Sequence, residues 1–364
     1  MQGIVLDDVT KAWPGAPAAV DHLDLAISAG EFVGLVGPSG CGKTTVLRIL
    51  CGLEAPTSGR VLVGSRDITN IASRDRYFGL VTQQNQLLGH LSAGRNICFP
   101  LEVRQERATV GDIDQRLRRE ASRLGLESLL DRRPSTLSEG QRRRVQLARA
   151  VIGAPVALML DEPLANLEDQ VRARVRAEIV ATHHDRGLTS LMATADQRDA
   201  MAMCDRIAVL VDGRLEQYAT PADVYDRPAT VDVADFFGEP SMNILAGRVD
   251  AGGGGRHVSV LGHRIPVTTS AIDPYHGGDV VVGVRPEDLV VGAPTTDGIE
   301  AVVRTTESVG YQTMVYAEAL GVPVAFLTPG RAPRADTVLD LAIPPDRLHF
   351  FDPRTRMAIH HPST

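Results

Sequence analysis

One stretch constrains this chain more than any other: Gly37-Pro38-Ser39-Gly40-Cys41-Gly42-Lys43-Thr44. It fits G-x-x-x-x-G-K-[ST] without a gap. Its glycines let the backbone curl so that successive N–H groups converge on one point. Lys43 adds an ammonium, Thr44 a hydroxyl, and Thr45 leads out of the loop. Upstream, Phe32-Val33-Gly34-Leu35-Val36 is apolar throughout, as a strand covered on both faces must be. Downstream, the apolar spacing from Lys43 to about Cys51 predicts an amphipathic helix stopped at Gly52. A helix N-terminus placed against a ring of N–H groups is a ready grip for phosphate. The unit demands an α/β fold with a buried parallel sheet.

A second apolar run, Val156 to Leu160, ends in Asp161-Glu162-Pro163. Two acids at a strand end are ordinary by themselves. Downstream of a phosphate loop they acquire a chemical reading. Asp161 can hold Mg²⁺ through water, with Thr44 as the hydroxyl ligand. Glu162 can orient and deprotonate an attacking water.

The rest of the chain supplies a frame around these two segments. Ile4, Leu6 and Val9 begin one strand; Leu23, Leu25 and Ile27 alternate in another. Ile113, Leu117, Ala121 and Leu124 repeat at helical spacing, as do Val171, Val175 and Ile179. Ile207 to Val211, the Asp212-Gly213 turn and Arg214 to Gln217 read as a β-hairpin. After about residue 235 helical periodicity fades and short β-type runs take over, as at Val258–Val260, Val280–Val284 and Val322–Leu327. Ala251 to Gly255 reads as a loose hairpin loop. This predicts two domains, 1–235 of α/β type and 236–364 of all-β barrel type, joined near Phe236-Phe237-Gly238. A length of 364 residues and 43% hydrophobic content allow both a core.

Composition removes several function classes. Net charge is −7 and aromatics are 4%, which argues against a nucleic-acid binder. No apolar run approaches the 18 or so residues of a membrane span, and no signal peptide is visible in MQGIVLDDVTKAWPG. Cys41, Cys51, Cys98 and Cys204 form no metal or redox spacing and are expected to be reduced thiols.

Between the loop and the acidic strand lies Leu137-Ser138-Glu139-Gly140-Gln141, followed by a helical run from Arg142 to Ala150. Ser138 is a good N-cap. Arg142 to Arg144 are expected on a solvated face. The five residues resemble the LSGGQ signature of ATP-binding-cassette (ABC) ATPases. In that family the signature faces the ATP of the opposite subunit, so two chains sandwich two nucleotides. The resemblance therefore implies ATP bound by Trp13, residues Gly37 to Thr45 and, in trans, Ser138, Glu139, Gly140 and Gln141. It implies a helical signature subdomain at about 88–152. Trp13 corresponds to an adenine-stacking aromatic, Gln83 to the glutamine that senses Mg²⁺ and the attacking water, and Leu164–Glu168 to the D-loop. Catalysis would fall to Glu162, Gln83 and Lys43, and Mg²⁺ to Thr44, Gln83 and Asp161.

After the ATPase, Gly283-Val284-Arg285-Pro286-Glu287-Asp288-Leu289 and Phe350-Phe351-Asp352-Pro353-Arg354-Thr355 resemble the OB-like, TOBE-type regulatory domain of sugar importers. These are ATPases of the maltose and glycerol-3-phosphate type. The resemblance implies a peripheral motor on the cytoplasmic face of the membrane, moving a carbohydrate or polyol. Its partners would be permease subunits, an extracytoplasmic solute-binding protein and a second copy of the chain. Arg285 and Glu287 are expected to form an ion pair.

The pattern breaks at one instructive place. The family carries histidine after the strand at Leu191 to Thr194; this chain reads Thr194-Ala195-Asp196-Gln197. Removing one transition-state contact costs on the order of 10²- to 10³-fold. Slow hydrolysis is therefore an alternative expectation, with the chain as an ATP-binding regulatory subunit; iron or polyamine import is another. A chromosome-maintenance ATPase is excluded, because about 95 residues from Lys43 to Ser138 hold no coiled coil. His183 and His184 precede the strand and are not expected to substitute.

Overall fold

The computed structural model describes residues 2–82, 87–103, 110–250, 255–292, 298–310 and 312–362. Compactness divides the chain into two units, Met1–Pro221 and Ala222–Thr364.

The first unit is built on a six-stranded sheet. Its order is Arg214–Ala219, Arg206–Val211, Phe32–Val36, Thr189–Thr194, Ala157–Asp161, Phe78–Val81. All neighbours are parallel except the outermost pair, the Arg206–Ala219 hairpin. That hairpin turns through Asp212 and Gly213, both at positive φ, as a two-residue turn requires. Every residue of Phe32–Val36 is buried, because strands flank it and helices cover it. A four-stranded antiparallel sheet carries Val20–Ile27, Ile4–Lys11, Ser58–Val63 and Arg66–Asp67 in that order. The helix Lys43–Leu50 joins both sheets in one core: Val46, Leu47, Ile49 and Leu50 meet Ile4, Leu25, Leu35 and Leu191. A Leu47→Ala change there would cost about 2–5 kcal/mol.

Parallel register sets the site. Val36 pairs with Thr194, and Asp161 with Ala193. The phosphate loop, Asp161-Glu162 and Ala195 therefore emerge from one carboxyl edge of the sheet, where open α/β sheets hold their ligands.

The helical part contains Ala93–Val103, Val110–Arg123 and Glu139–Val151. Fully buried Asn96 ties the preceding turn to its helix. It accepts from the Leu88 N–H and donates to the carbonyls of Leu88, Leu91 and Ser92. The expected solvated arginine face is corrected here. Arg143 is buried and donates to Thr82 O at 2.9 Å. Arg142 and Arg144 donate to Leu137 O and Leu124 O. Their guanidinium groups satisfy loop and helix-end carbonyls, which alternation alone does not reveal.

The second unit is antiparallel in its sheets. One sheet has six strands, running from His263–Pro266 through His257–Val260, Asn243–Val249, Asp279–Val284 and His349–Phe351 to Ala358–His360. The other has five: Val290–Val291, Val338–Ala342, Ile299–Val309, Gln312–Ala319 and Val322–Pro329. Both feed one apolar core that includes Val258, Val282, Phe326 and Phe350. Residues 251–254 of the expected glycine loop lie outside the described residues.

Two details differ from the sequence reading. The expected joint at residue 235 falls inside this unit, because Val231–Phe236 is a helix tied to residues 356–358. Arg285 and Glu287 do not pair directly. Arg285 donates to Tyr225 O and Phe237 O and stacks on the Tyr225 ring at 3.9 Å; the Tyr225 hydroxyl donates to Glu287.

Candidate functional site

The loop Gly37–Gly42 has the backbone its glycines permit. Gly37 and Gly42 have φ of 154° and 105°. A Cβ at Gly37 would lie 2.0 Å from Leu210 O, and one at Gly42 2.1 Å from Ala19 O. Both positions thus require glycine for conformation and for space. Gly42 is also the residue from which the helix Lys43–Leu50 starts. A cleft of about 310 Å³ opens beside it, lined by Ala19, Ser39, Gly40, Gly42, Lys43, Thr44, Thr45 and Glu162. Five of these eight belong to the loop motif, Thr45 follows it directly, and Glu162 belongs to the acidic strand end. Ala19 is the one that sequence reasoning misses, since it supplies only backbone and carries no chemical signature.

Lys43 is 7% exposed, and its ammonium donates to Gly37 O at 2.7 Å and Pro38 O at 2.8 Å. It can exchange these carbonyls for phosphate oxygens within the same loop. Cys41 is buried beneath it, and burial raises the thiol above its ordinary value despite the Lys43 charge. That is the opposite of a reactive thiolate. All four cysteines are free and buried.

The Thr44 hydroxyl donates to Asp161 Oδ1 at 3.1 Å. Burial raises the Asp161 carboxyl, opposed by this bond and by Lys43 and Arg48. A hydroxyl and a carboxylate side by side fit Mg²⁺, which takes one or two protein oxygens and fills its octahedron from phosphates and water. Among the described residues no cluster of three or more His, Cys, Asp or Glu could form an all-protein metal cage.

Glu162 lies at φ 46°, left-handed for a non-glycine residue, at a cost of about 1–2 kcal/mol. Such strain gathers at functional positions. Its N–H donates to Ala193 O, and its Oε1 accepts the Ala195 N–H at 2.9 Å. Burial raises its carboxyl, with the Ala195 N–H and Lys43 pulling the other way. Thr194 and Ala195 therefore belong to the site through a hydroxyl and a backbone N–H. His183 sits apart: it is buried in the helix Asp169–Arg186 and bonds Ser190.

Ser138 caps the helix Glu139–Val151. Its Oγ accepts the Gln141 N–H at 3.3 Å, and its own N–H donates to Gln141 Oε1 at 2.9 Å. Gly140 packs closely, since a Cβ there would come within 2.8 Å of Val171 Cγ1 and push that side chain aside. Trp13 is 43% exposed, with the Lys11 ammonium 5.3 Å from its ring centroid. The loop after it returns to the glycines at Ala19. Gln83 lies outside the described residues.

Sheet order and phosphate loop together define an α/β P-loop ATPase with a helical insertion. The sequence family described as ABC transporter matches residues 20–165. The MalK OB fold domain family matches 238–289 and the TOBE domain family 282–351. The chain belongs to the ATP-binding proteins of ABC transporters. It is 39% identical to the sn-glycerol-3-phosphate import ATP-binding protein UgpC of Cereibacter sphaeroides, over 98% of this chain and 99% of that one. It is 38% identical to the trehalose/maltose import ATP-binding protein MalK of Thermococcus litoralis, over 99% of this chain and 100% of that one. Among solved structures it is similar to the dimeric post-hydrolysis state of the ATP-binding cassette MJ0796 bound to ADP and Pi. That likeness has a TM-score of 0.55 and 28% identity, covering 60% of this chain and 98% of that one. Among the described residues no helix is long and apolar enough to cross a membrane.

Proposed function

We propose that this chain is the ATP-hydrolysing motor of an importer for a carbohydrate or polyol, glycerol 3-phosphate and maltose-like sugars being the first solutes to test. Two copies would close on two ATPs, and closure would switch permease subunits from the cytoplasmic face of the membrane. An extracytoplasmic protein would deliver the solute to them. The observation that carries the ATPase reading is the convergence of the glycine loop, Lys43, Thr44, Asp161 and Glu162 on one sheet edge. The full-length likeness to import proteins carries the transport reading.

Each residue then has a task. The loop N–H groups of Ser39, Gly40, Cys41, Gly42, Lys43, Thr44 and Thr45 hold the phosphates, while Gly37 and Pro38, which has no N–H, shape the turn. Lys43 neutralises their outer oxygens. Trp13 stacks on the base. Thr44, Asp161 and Gln83 would hold Mg²⁺, which supplies charge neutralisation of the phosphates when bound. Glu162, with Gln83, orients a water on the γ-phosphorus. As the new O–P bond forms and the bridging O–P bond breaks, Glu162 accepts the water proton and ADP leaves with phosphate. Ser138, Glu139, Gly140 and Gln141 of one copy would meet the nucleotide of the other. The reading as a weakened regulatory subunit is not favoured, because Glu162 keeps a defined place without a histidine at 195.

The test is ATP turnover in membranes holding the co-purified permease, with each solute supplied. Stimulation is expected with one of the two solutes. No stimulation by either would end the solute assignment. Glu162→Gln should cut turnover to a small residual rate and spare ATP binding; unchanged turnover would end its role as base.

A further inference from the structure

Glu162 is the group on which the proposed hydrolysis turns, yet nothing on its own strand fixes its carboxylate. Both oxygens are met instead from residues 194–196. Oε1 accepts the Ala195 N–H at 2.9 Å, and Oε2 accepts the Thr194 hydroxyl at 3.4 Å. The Thr194 hydroxyl in turn accepts the Asp196 N–H at 3.1 Å. No side chain at position 195 takes part. The direction of Glu162 therefore depends on where the backbone of this short turn lies.

The turn is anchored at Asp196, which meets two guanidinium groups: Arg198 forks onto it locally at 3.3 and 3.1 Å, and Arg172 reaches it from a separate helix. Asp196 caps the helix Gln197–Met203 by accepting the Arg198 N–H at 2.8 Å, and its other oxygen takes the Arg172 guanidinium. Arg172 also forks onto Asp199, with its Nε at 3.1 Å and its Nη2 at 2.6 Å. Asp199 is 1% exposed and takes Arg176 as a further partner at 3.2 Å. Arg172 lies in the first turns of the helix Asp169–Arg186, directly after the Leu164–Glu168 loop. A planar fork across two carboxylates resists rotation in a way that a single ammonium does not.

We propose that Arg172 is a positioning residue for Glu162: by clamping Asp196 and Asp199 it sets the 194–196 turn, whose Ala195 N–H and Thr194 hydroxyl aim the Glu162 carboxylate. The inference rests on the reading of Glu162 as the group that orients the attacking water. It also assigns this turn's backbone the orienting work at the position where the chain carries alanine. Misplacement of a catalytic group from a distance of two residue contacts costs rate rather than substrate affinity.

The test uses the full chain. ATP hydrolysis, ATP binding and thermal unfolding are measured for Arg172→Met, Arg172→Lys, Glu162→Gln and the double variant Glu162→Gln/Arg172→Met. Arg172→Met should lower kcat about 10- to 100-fold with KM for ATP unchanged. Arg172→Lys should recover part of that loss, because it keeps one charge contact. On the residual rate of Glu162→Gln, adding Arg172→Met should cost nothing further, since the two act as a unit. A wild-type kcat for Arg172→Met, with Glu162→Gln lowered to its residual rate, overturns the inference alone. So does an equal loss from Arg172→Met in both backgrounds. Turnover left intact by Glu162→Gln overturns the base assignment and the inference with it. If Arg172→Met does not fold, Arg172→Lys decides: a lowered kcat at an unchanged Tm upholds the inference, and an unchanged kcat overturns it.

Discussion

At the scale of single residues, the site is made by positions where a side chain must be absent as much as by those where one is present. Gly42 is the sharpest case. Its φ is 105°, and a Cβ would sit 2.1 Å from Ala19 O. Gly42→Ala should therefore strain the loop by about 1–3 kcal/mol and spoil the convergence of its N–H groups. Titration with labelled ATP should find binding lost or greatly weakened, while Gly40→Ala, with open space around its Cβ, is milder. Equal ATP affinity for Gly42→Ala and the wild type would refute this account. The same comparison explains what could be read in advance. Gly37 to Thr45 and Asp161-Glu162 are contiguous and chemically distinctive, so their pattern names them. Ala19, Thr194 and the Ala195 N–H contribute backbone or a common hydroxyl from distant segments. Their types say nothing until the register of Val36 with Thr194 places them.

At the scale of elements, apolar runs such as Phe32–Val36 and Val280–Val284 were legible because burial on both faces leaves no polar residue in them. Their partners were not, since pairing is set by the whole chain. The strand His349–Phe351 lies against Val281–Gly283 on one side and Ala358–His360 on the other. This last pairing places His349, 2% exposed, with its Nδ1 3.0 Å from that of His361. Two ring nitrogens so close share one proton between them. Burial pushes both imidazoles below their ordinary value, and the neighbouring charges add to it: Arg285 and His360 for His349, Arg227 and His360 for His361. The folded state thus binds fewer protons than the unfolded chain. The stability this represents is fully present above about pH 6.5 and is lost as pH falls through that value toward the lower folded ones, at up to about 1.4 kcal/mol per pH unit for each group. Thermal unfolding at pH 7.5 and pH 5 should show the second unit weakening in acid. His349→Gln should flatten that dependence; an unchanged slope would remove the pair as its cause.

At the scale of the molecule, the strands of the second unit begin at Asn243, yet compactness divides the chain after Pro221. The reason lies in groups that the segment 222–235 supplies to the second unit. Val231 N–H donates to Arg356 O, and Ala358 N–H to Ala229 O. Asp232 pairs with Arg356 at 2.9 Å, and Val231 and Ala234 pack with Met242 and Phe351. Arg285, 3% exposed, takes acceptors from Tyr225 and Phe237 and covers the Tyr225 ring. A fragment beginning at residue 236 would strip this guanidinium of the Tyr225 and Ala234 carbonyls and of its stacking ring. Hydrogen bonds to a charged group contribute about 1.5–3 kcal/mol each. The fragment 222–364 should therefore unfold at a higher urea concentration than the fragment 236–364. Arg285→Met should narrow the gap between them, because it removes from the longer fragment the bonds that the shorter one already lacks. Equal urea midpoints for the two fragments would show that residues 222–235 are a passive linker, and that the β-type runs alone define the second unit.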